Sequence, residues 1–142
     1  MDTSETHTFP GRFDSLAAIN KFVTRIAEAA GLDSKAIYAV QMAVDEACSN
    51  IIEHAYGGEG QGSIECTCHV HNDQLVVILG DYGCPFDPAT IPRPDLCANL
   101  DQRSSGGLGV FFMRQMMDQV HFESRPGIGN TLVLVKHRKT AD

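Results

Sequence analysis

Three polar residues, Glu46, Asn50 and His54, recur at i, i+4 and i+8, a spacing that stacks them on one face of a helix. The amide oxygen of Asn50 is a hard, neutral donor suited to Mg²⁺, which takes oxygen ligands and keeps waters and substrate phosphates in its shell. Glu46, one turn away, could orient or deprotonate a hydroxyl or a water beside a bound phosphate. A row of this kind is also the ordinary pattern of a solvated helix face, and His54 could act as a cationic cap on a helix C-terminus. The row therefore needs partners from elsewhere in the chain.

Such partners follow in order. An apolar run, Leu75 to Leu79, leads into Gly80-Asp81-Tyr82-Gly83. A carboxylate at a strand end can accept a hydrogen bond from an exocyclic amine, and a glycine beside it lets a planar ring such as adenine approach the backbone. Further on, Ser104-Ser105-Gly106-Gly107-Leu108-Gly109 stands where a helix should start, and unobstructed backbone N–H groups there suit the anionic tail of a nucleotide. Gly127-Ile128-Gly129-Asn130-Thr131 precedes the last apolar run and reads equally well as a hairpin connection. The conjunction of these boxes, in this order, carries more than any one of them.

The elements that must position them can be read from periodicity. Thr6 to Phe13 is a short extended stretch broken by Pro10 and Gly11, and Asp14 or Ser15 can cap a helix through Leu16, Ile19, Phe22, Val23 and Ile26 that ends at Gly31. Asp33 or Ser34 opens a second, long helix, with Ile37, Val40, Val44, Ala47, Cys48, Ile51 and Ala55 at helical spacing up to Gly57 and Gly58. Its polar row lies on the order of 120° from the centre of its apolar stripe. Ser63 to His71 and Gln74 to Gly80 read as a hairpin turned at Asn72-Asp73. From Asp81 to Gly107 the chain is irregular and rich in proline, the character of a lid or binding loop. Val110 to Met117 reads as a helix, and Gln119 to Ser124 and Thr131 to His137 as the last strands. The expected fold is a two-layer α/β sandwich, a mixed and mainly antiparallel sheet covered by helices on one face, in a single domain spanning residues 1–142.

Composition narrows the function. The 142 residues are 43% hydrophobic and 20% charged, a globular balance. A formal charge of -7 argues against nucleic acid as a direct partner. No stretch approaches the roughly 20 apolar residues of a membrane span, and the N-terminal residues lack the pattern of a signal peptide, so a cytoplasmic location is expected. Five cysteines, Cys48, Cys66, Cys68, Cys84 and Cys97, without a CxxC pair suggest reduced thiols. In Cys66-Thr67-Cys68-His69-Val70-His71, strand alternation points the thiols one way and the imidazoles the other, so a zinc shared among all four is geometrically awkward. Two core thiols and two surface histidines are expected instead.

On these motifs, from about Asp33 to Lys136, the sequence resembles the GHKL ATPase/kinase superfamily and its Bergerat ATP-binding fold. Glu46, Asn50 and His54 match that family's helical N box, Asp81 and Gly83 its adenine box, and Gly107 and Gly109 its phosphate box. The resemblance implies ATP and Mg²⁺ as ligands, with Asn50 holding the metal, Asp81 accepting from the adenine amine, Ser105, Gly106 and Leu108 near the phosphates, and Thr131 supporting the adenine end. The spelling Asp45-Glu46-Ala47-x-x-Asn50-x-x-x-His54-Ala55 and the element Thr6 to Ile26 resemble most the anti-sigma-factor serine/threonine kinases. That resemblance implies a homodimer that binds a sigma factor and phosphorylates a small STAS-domain antagonist, with Glu46 as base. Arg103 is then either a stabiliser of the γ-phosphate or a solvated loop cation. A nucleotide-binding partner-switch module with little or no kinase activity fits the same boxes. The catalytic half of a two-component histidine kinase fits less well, since no phosphoacceptor helix hairpin precedes the boxes and His7 stands in an extended polar stretch.

Overall fold

The computed structural model describes residues 2–84 and 109–138. Among these residues five strands form one sheet in the order β1-β2-β3-β5-β4: β1 Thr3–Pro10, β2 Ser63–His71, β3 Gln74–Asp81, β4 Gln119–Arg125 and β5 Gly129–His137. All four neighbouring pairs are antiparallel, the limiting case of the mainly antiparallel sheet expected. Helices α1, Leu16–Ala29, and α2, Ser34–Asn50, pack on one face, and residues 109–116 are helical as well.

Local chemistry explains the element ends. The Asp33 carboxylate caps α2 by accepting from the Ala36 amide at 2.8 Å, satisfying one of the first-turn donors that a helix leaves open. Gly31 takes φ 84° between the two helices, a conformation a side chain resists. Asn72 takes φ 55° in the β2–β3 turn, as the Asn-Asp pair predicts. The first strand begins earlier than periodicity indicated, at Thr3 rather than Thr6, because pairing with β2 from Thr3↔Val70 to Pro10↔Ser63 recruits residues whose own pattern is uniformly polar. Phe13–Ser15 form a 3₁₀ turn instead of continuing the strand.

Alternation along the strands divides the sheet cleanly. Ile64, Cys66 and Cys68 of β2, Leu75, Val77 and Leu79 of β3, and Leu132 and Leu134 of β5 face the helices and are buried against Ile19, Val23, Val40, Val44 and Ile52. Each fully buried side chain of this size contributes roughly 1.5–3 kcal/mol. The two helices are also tied by a short hydrogen bond from Asn20 Nδ2 to Asp45 Oδ1. Cys48, Cys66 and Cys68 are free, buried thiols, and burial pushes Cys48 up to about 12, far from the thiolate form that reacts. Cys84, in contrast, is disulfide-bonded. This corrects the expectation of reduced thiols throughout, which cysteine spacing alone could not refine because a bridge depends on through-space geometry.

Candidate nucleotide site

The C-terminal end of α2 does not stop as an ordinary helix. From Ile51 to Ala55 it continues as a π-helical turn, closed by Tyr56 N–H donating to Ile51 O at 2.9 Å. Residues at i and i+4 drift about 40° around a regular helix at each step. The underwound π turn cancels part of that drift, so His54 is turned back toward the sheet instead of moving round to solvent. It is only 6% exposed, which rules out the solvated row considered from sequence.

His54 is also no cationic cap. Neither Nδ1 nor Nε2 has a hydrogen-bond partner among the described residues, and burial pushes the imidazole below its usual range against the opposing pull of the Glu53 carboxylate. One turn earlier, Asn50 Nδ2 is likewise buried without a partner among the described residues. Each unsatisfied buried group of this kind costs on the order of 1–3 kcal/mol, and such a concentration of them marks a place built for something other than packing. Glu46 precedes Asn50 by a further turn. Desolvation raises its carboxyl, the neighbouring Glu53 charge adds to the rise, and the Asn50 amide opposes it without reaching hydrogen-bond geometry.

The last residues of β3 meet this helix end. Gly83 has no room for a side chain: an added Cβ would collide with the carbonyl and Cβ of Ala55. Cys84 N–H donates to that same Ala55 oxygen at 2.7 Å. Asp81, 5% exposed, accepts on Oδ1 from Gly83 N–H at 2.9 Å and from Asn130 Nδ2 at 2.8 Å. Its Oδ2 takes no hydrogen bond among the described residues. Desolvation raises the Asp81 carboxyl, and these two donors oppose the rise.

Two residues that sequence reading passed over hold this corner together. Asn130 Nδ2 also reaches Gly83 O at 3.1 Å and Cys84 O at 3.2 Å, while its Oδ1 accepts from Ser124 Oγ at 2.8 Å. Register places Asn130 opposite Asp81 and Thr131 opposite Gly80, so alternation puts Asn130, rather than Thr131, on the face that carries the carboxylate. Tyr56 donates its hydroxyl to Ser63 O at 2.6 Å and accepts from Tyr82 N–H at 3.0 Å. The only local signal for either was a polar or aromatic residue beside glycines.

A cleft between α2, the strand ends and helix 109–116 is lined by Asn50, Ile51 and His54 from the long helix and its π turn, by Asp81, Phe122, Ser124, Asn130 and Thr131 from the strands, and by Met113. Glu46 is not part of that lining. It stands behind Asn50, where Gly109 meets both: a Cβ on Gly109 would lie 2.5 Å from Glu46 Oε2 and 2.6 Å from Asn50 Nδ2. The structure thus brings Glu46, Asn50, His54, Asp81, Gly83, Gly109 and Thr131 to one region. Arg103, Ser105, Gly106, Gly107 and Leu108 lie outside the described residues.

An antiparallel sheet with helices on one face and a cleft at the end of a long helix defines a class. Residues 9–136 match the model of the histidine kinase-like ATPase domain, and the chain belongs to that family. Within it, the chain is similar to proteins named serine-protein kinase RsbW. The relative from Bacillus velezensis is 31% identical over 133 residues, covering 90% of this chain and 81% of that protein. The relative from Listeria innocua is 33% identical over 116 residues, covering 79% and 73%. Among solved structures, the RsbU and RsbW domains of a Mycobacterium tuberculosis protein align with TM-score 0.65 at 14% identity, over 99% of this chain and 35% of that one. The catalytic domain of the histidine kinase ThkA aligns with TM-score 0.54 at 13% identity, over 94% and 97%. At such identities these two establish likeness of fold.

Proposed function

We propose that the chain is an Mg²⁺-ATP-dependent protein serine/threonine kinase that phosphorylates a small STAS-domain antagonist protein and, as a homodimer, sequesters a sigma factor. The observation that carries the nucleotide part is the meeting, in one cleft, of the Asn50 Nδ2 and the two His54 ring nitrogens, all buried without a hydrogen-bond partner among the described residues, with an Asp81 carboxylate whose Oδ2 takes no hydrogen bond there. The similarity to serine-protein kinases supports transfer to a hydroxyl of a protein substrate.

On this reading Asp81 Oδ2 accepts from the adenine amine, and Asn130 fixes the carboxylate so that this oxygen faces the base. Gly83 lets the ring lie close to the backbone. Gly109, at the described start of its helix, brings its backbone against Glu46 and Asn50 at an approach that only a glycine allows. The donor set fits Mg²⁺: the Asn50 amide offers a hard oxygen, and the ion would neutralise phosphate charge there. Glu46 takes the proton from the substrate hydroxyl, a task suited to a carboxylate whose basicity has been raised by desolvation. Arg103 and Ser105 to Leu108 complete the phosphate end, and Thr131 backs the adenine end beside Asn130.

Incubation of the protein with γ-labelled ATP, Mg²⁺ and a STAS-domain protein tests the proposal. Label on a serine or threonine of the partner supports it. Nucleotide binding without any transfer would instead make the chain a partner-switch module, and absence of nucleotide binding would overturn both.

A further inference from the structure

The two histidines set aside in the sequence acquire a third companion in the fold. His69 and His71 are two residues apart on β2, so they share the sheet face opposite to the buried Cys66 and Cys68. Their imidazoles lie nearly parallel, 15° apart with centroids at 6.1 Å. Thr3 pairs with Val70, which places the preceding residue, Asp2, across from His71. There Asp2 Oδ1 and His71 Nδ1 are 2.8 Å apart. One ligand atom from each of Asp2, His69 and His71 can be chosen so that all lie within 4.8 Å of one another.

We propose that Asp2, His69 and His71 form a binding site for a divalent transition-metal ion, with Zn²⁺ as the natural test ion. Two imidazole nitrogens and one carboxylate oxygen make a borderline donor set, matched to Zn²⁺, Ni²⁺ or Cu²⁺ and unlike the all-oxygen shells of Mg²⁺ and Ca²⁺. Metal–ligand distances of about 2.0–2.2 Å require the three atoms to draw somewhat closer than they stand. Rotation of exposed side chains supplies that, since His71 and Asp2 are both about half exposed. Exposure also leaves room for water to fill the remaining coordination positions.

The site is separate from the nucleotide cleft in two respects. It occupies the sheet face away from the helices, and it lies at the His71 end of β2, whereas Gly80 beside Asp81 pairs with Glu65 near the other end. Bound metal would fasten the start of edge strand β1 to its neighbour, so the ion acts on the anchorage of the strand rather than on phosphoryl chemistry.

Calorimetric titration of the chelator-treated full chain with Zn²⁺, without nucleotide, tests this. The expected result is saturation at one equivalent together with a rise in Tm. Loss of a hydrogen-bond partner behind a metal ligand already weakens binding roughly 10- to 100-fold. Asp2→Asn, His69→Ala and His71→Ala should therefore each weaken it by at least about 10-fold, while His121→Ala on β4 leaves it unchanged. Asp2, His71 and His121 are exposed and His69 is half-buried, and unchanged circular dichroism without metal would establish that the variants fold. No saturable binding, or full binding by His69→Ala and His71→Ala, overturns the site, the second outcome placing the ion elsewhere on the chain.

Discussion

Between Ser34 and Val44, α2 is built for stability, whereas from Glu46 to Ala55 the same run of helix carries features that stability alone would remove. The first half has a capped start, regular geometry and apolar residues Ala36, Val40, Ala43 and Val44 seated in the core. The second half holds a carboxylate raised by desolvation, three buried nitrogens on Asn50 and His54 that have no hydrogen-bond partner among the described residues, and a π turn that carries His54. Local rules broken together in one place mark where a fold has been shaped by its ligand. The contrast separates two kinds of substitution, those that change chemistry and those that change folding.

The largest effect should come from Glu46→Gln. If Glu46 is the base, transfer to the antagonist protein falls by roughly 100-fold or more, while nucleotide titration and thermal unfolding stay close to wild type. Full transfer by this variant would give Glu46 a structural role and weaken the contrast. Asn50→Ala comes next. It should lose Mg²⁺-dependent ATP affinity by at least about 10-fold, as expected for a direct metal ligand, yet unfold at the same temperature or higher because a buried unpaired amide is gone. Unchanged ATP affinity would count against the assignment.

The opposite signature belongs to the other half of the helix. Asp33→Ala removes the cap and should cost about 1 kcal/mol, a drop of a few degrees in Tm, with ATP affinity of the remaining folded protein unaltered. The smallest effect concerns His54. Its folded-state pKa is lowered from the ordinary value near 6.5, so above that pH both folded and unfolded chains are neutral there and stability is unaffected. As pH falls through about 6.5, the unfolded chain takes up the proton first and stability declines until the lowered folded value is reached. Thermal unfolding at pH 7.5 and 5.5 should therefore show a larger loss in the wild type than in His54→Asn.

Much of the fold was legible because short-range chemistry determines it. The Asp33 cap, the Asn72-Asp73 turn and alternation in β2 and β3 placed those elements to within a residue of where they lie. The row Glu46, Asn50, His54 and the pair Asp81, Gly83 were legible as types of side chain at suitable spacing. The π turn was not, because a regular helix and an underwound one share the same apolar period over so few residues. Asn130 and Tyr56 were missed for another reason: each acts on residues brought near only by folding, Asp81 in one case, Ser63 and Tyr82 in the other. Asp2 could not be joined to His69 and His71 until the β1–β2 register was known.

The contact of Gly83 and Cys84 with Ala55 fixes one jaw of the cleft. Strand end and helix end already touch backbone to backbone there, so that side can neither narrow nor widen without breaking a main-chain hydrogen bond. The helix bearing Met113 is tied to β5 in its turn, by Lys136 Nζ donating to Met116 O at 2.7 Å. On the proposed reading, recognition of the base is rigid and set before the nucleotide arrives; purine choice should therefore be the same for di- and triphosphates.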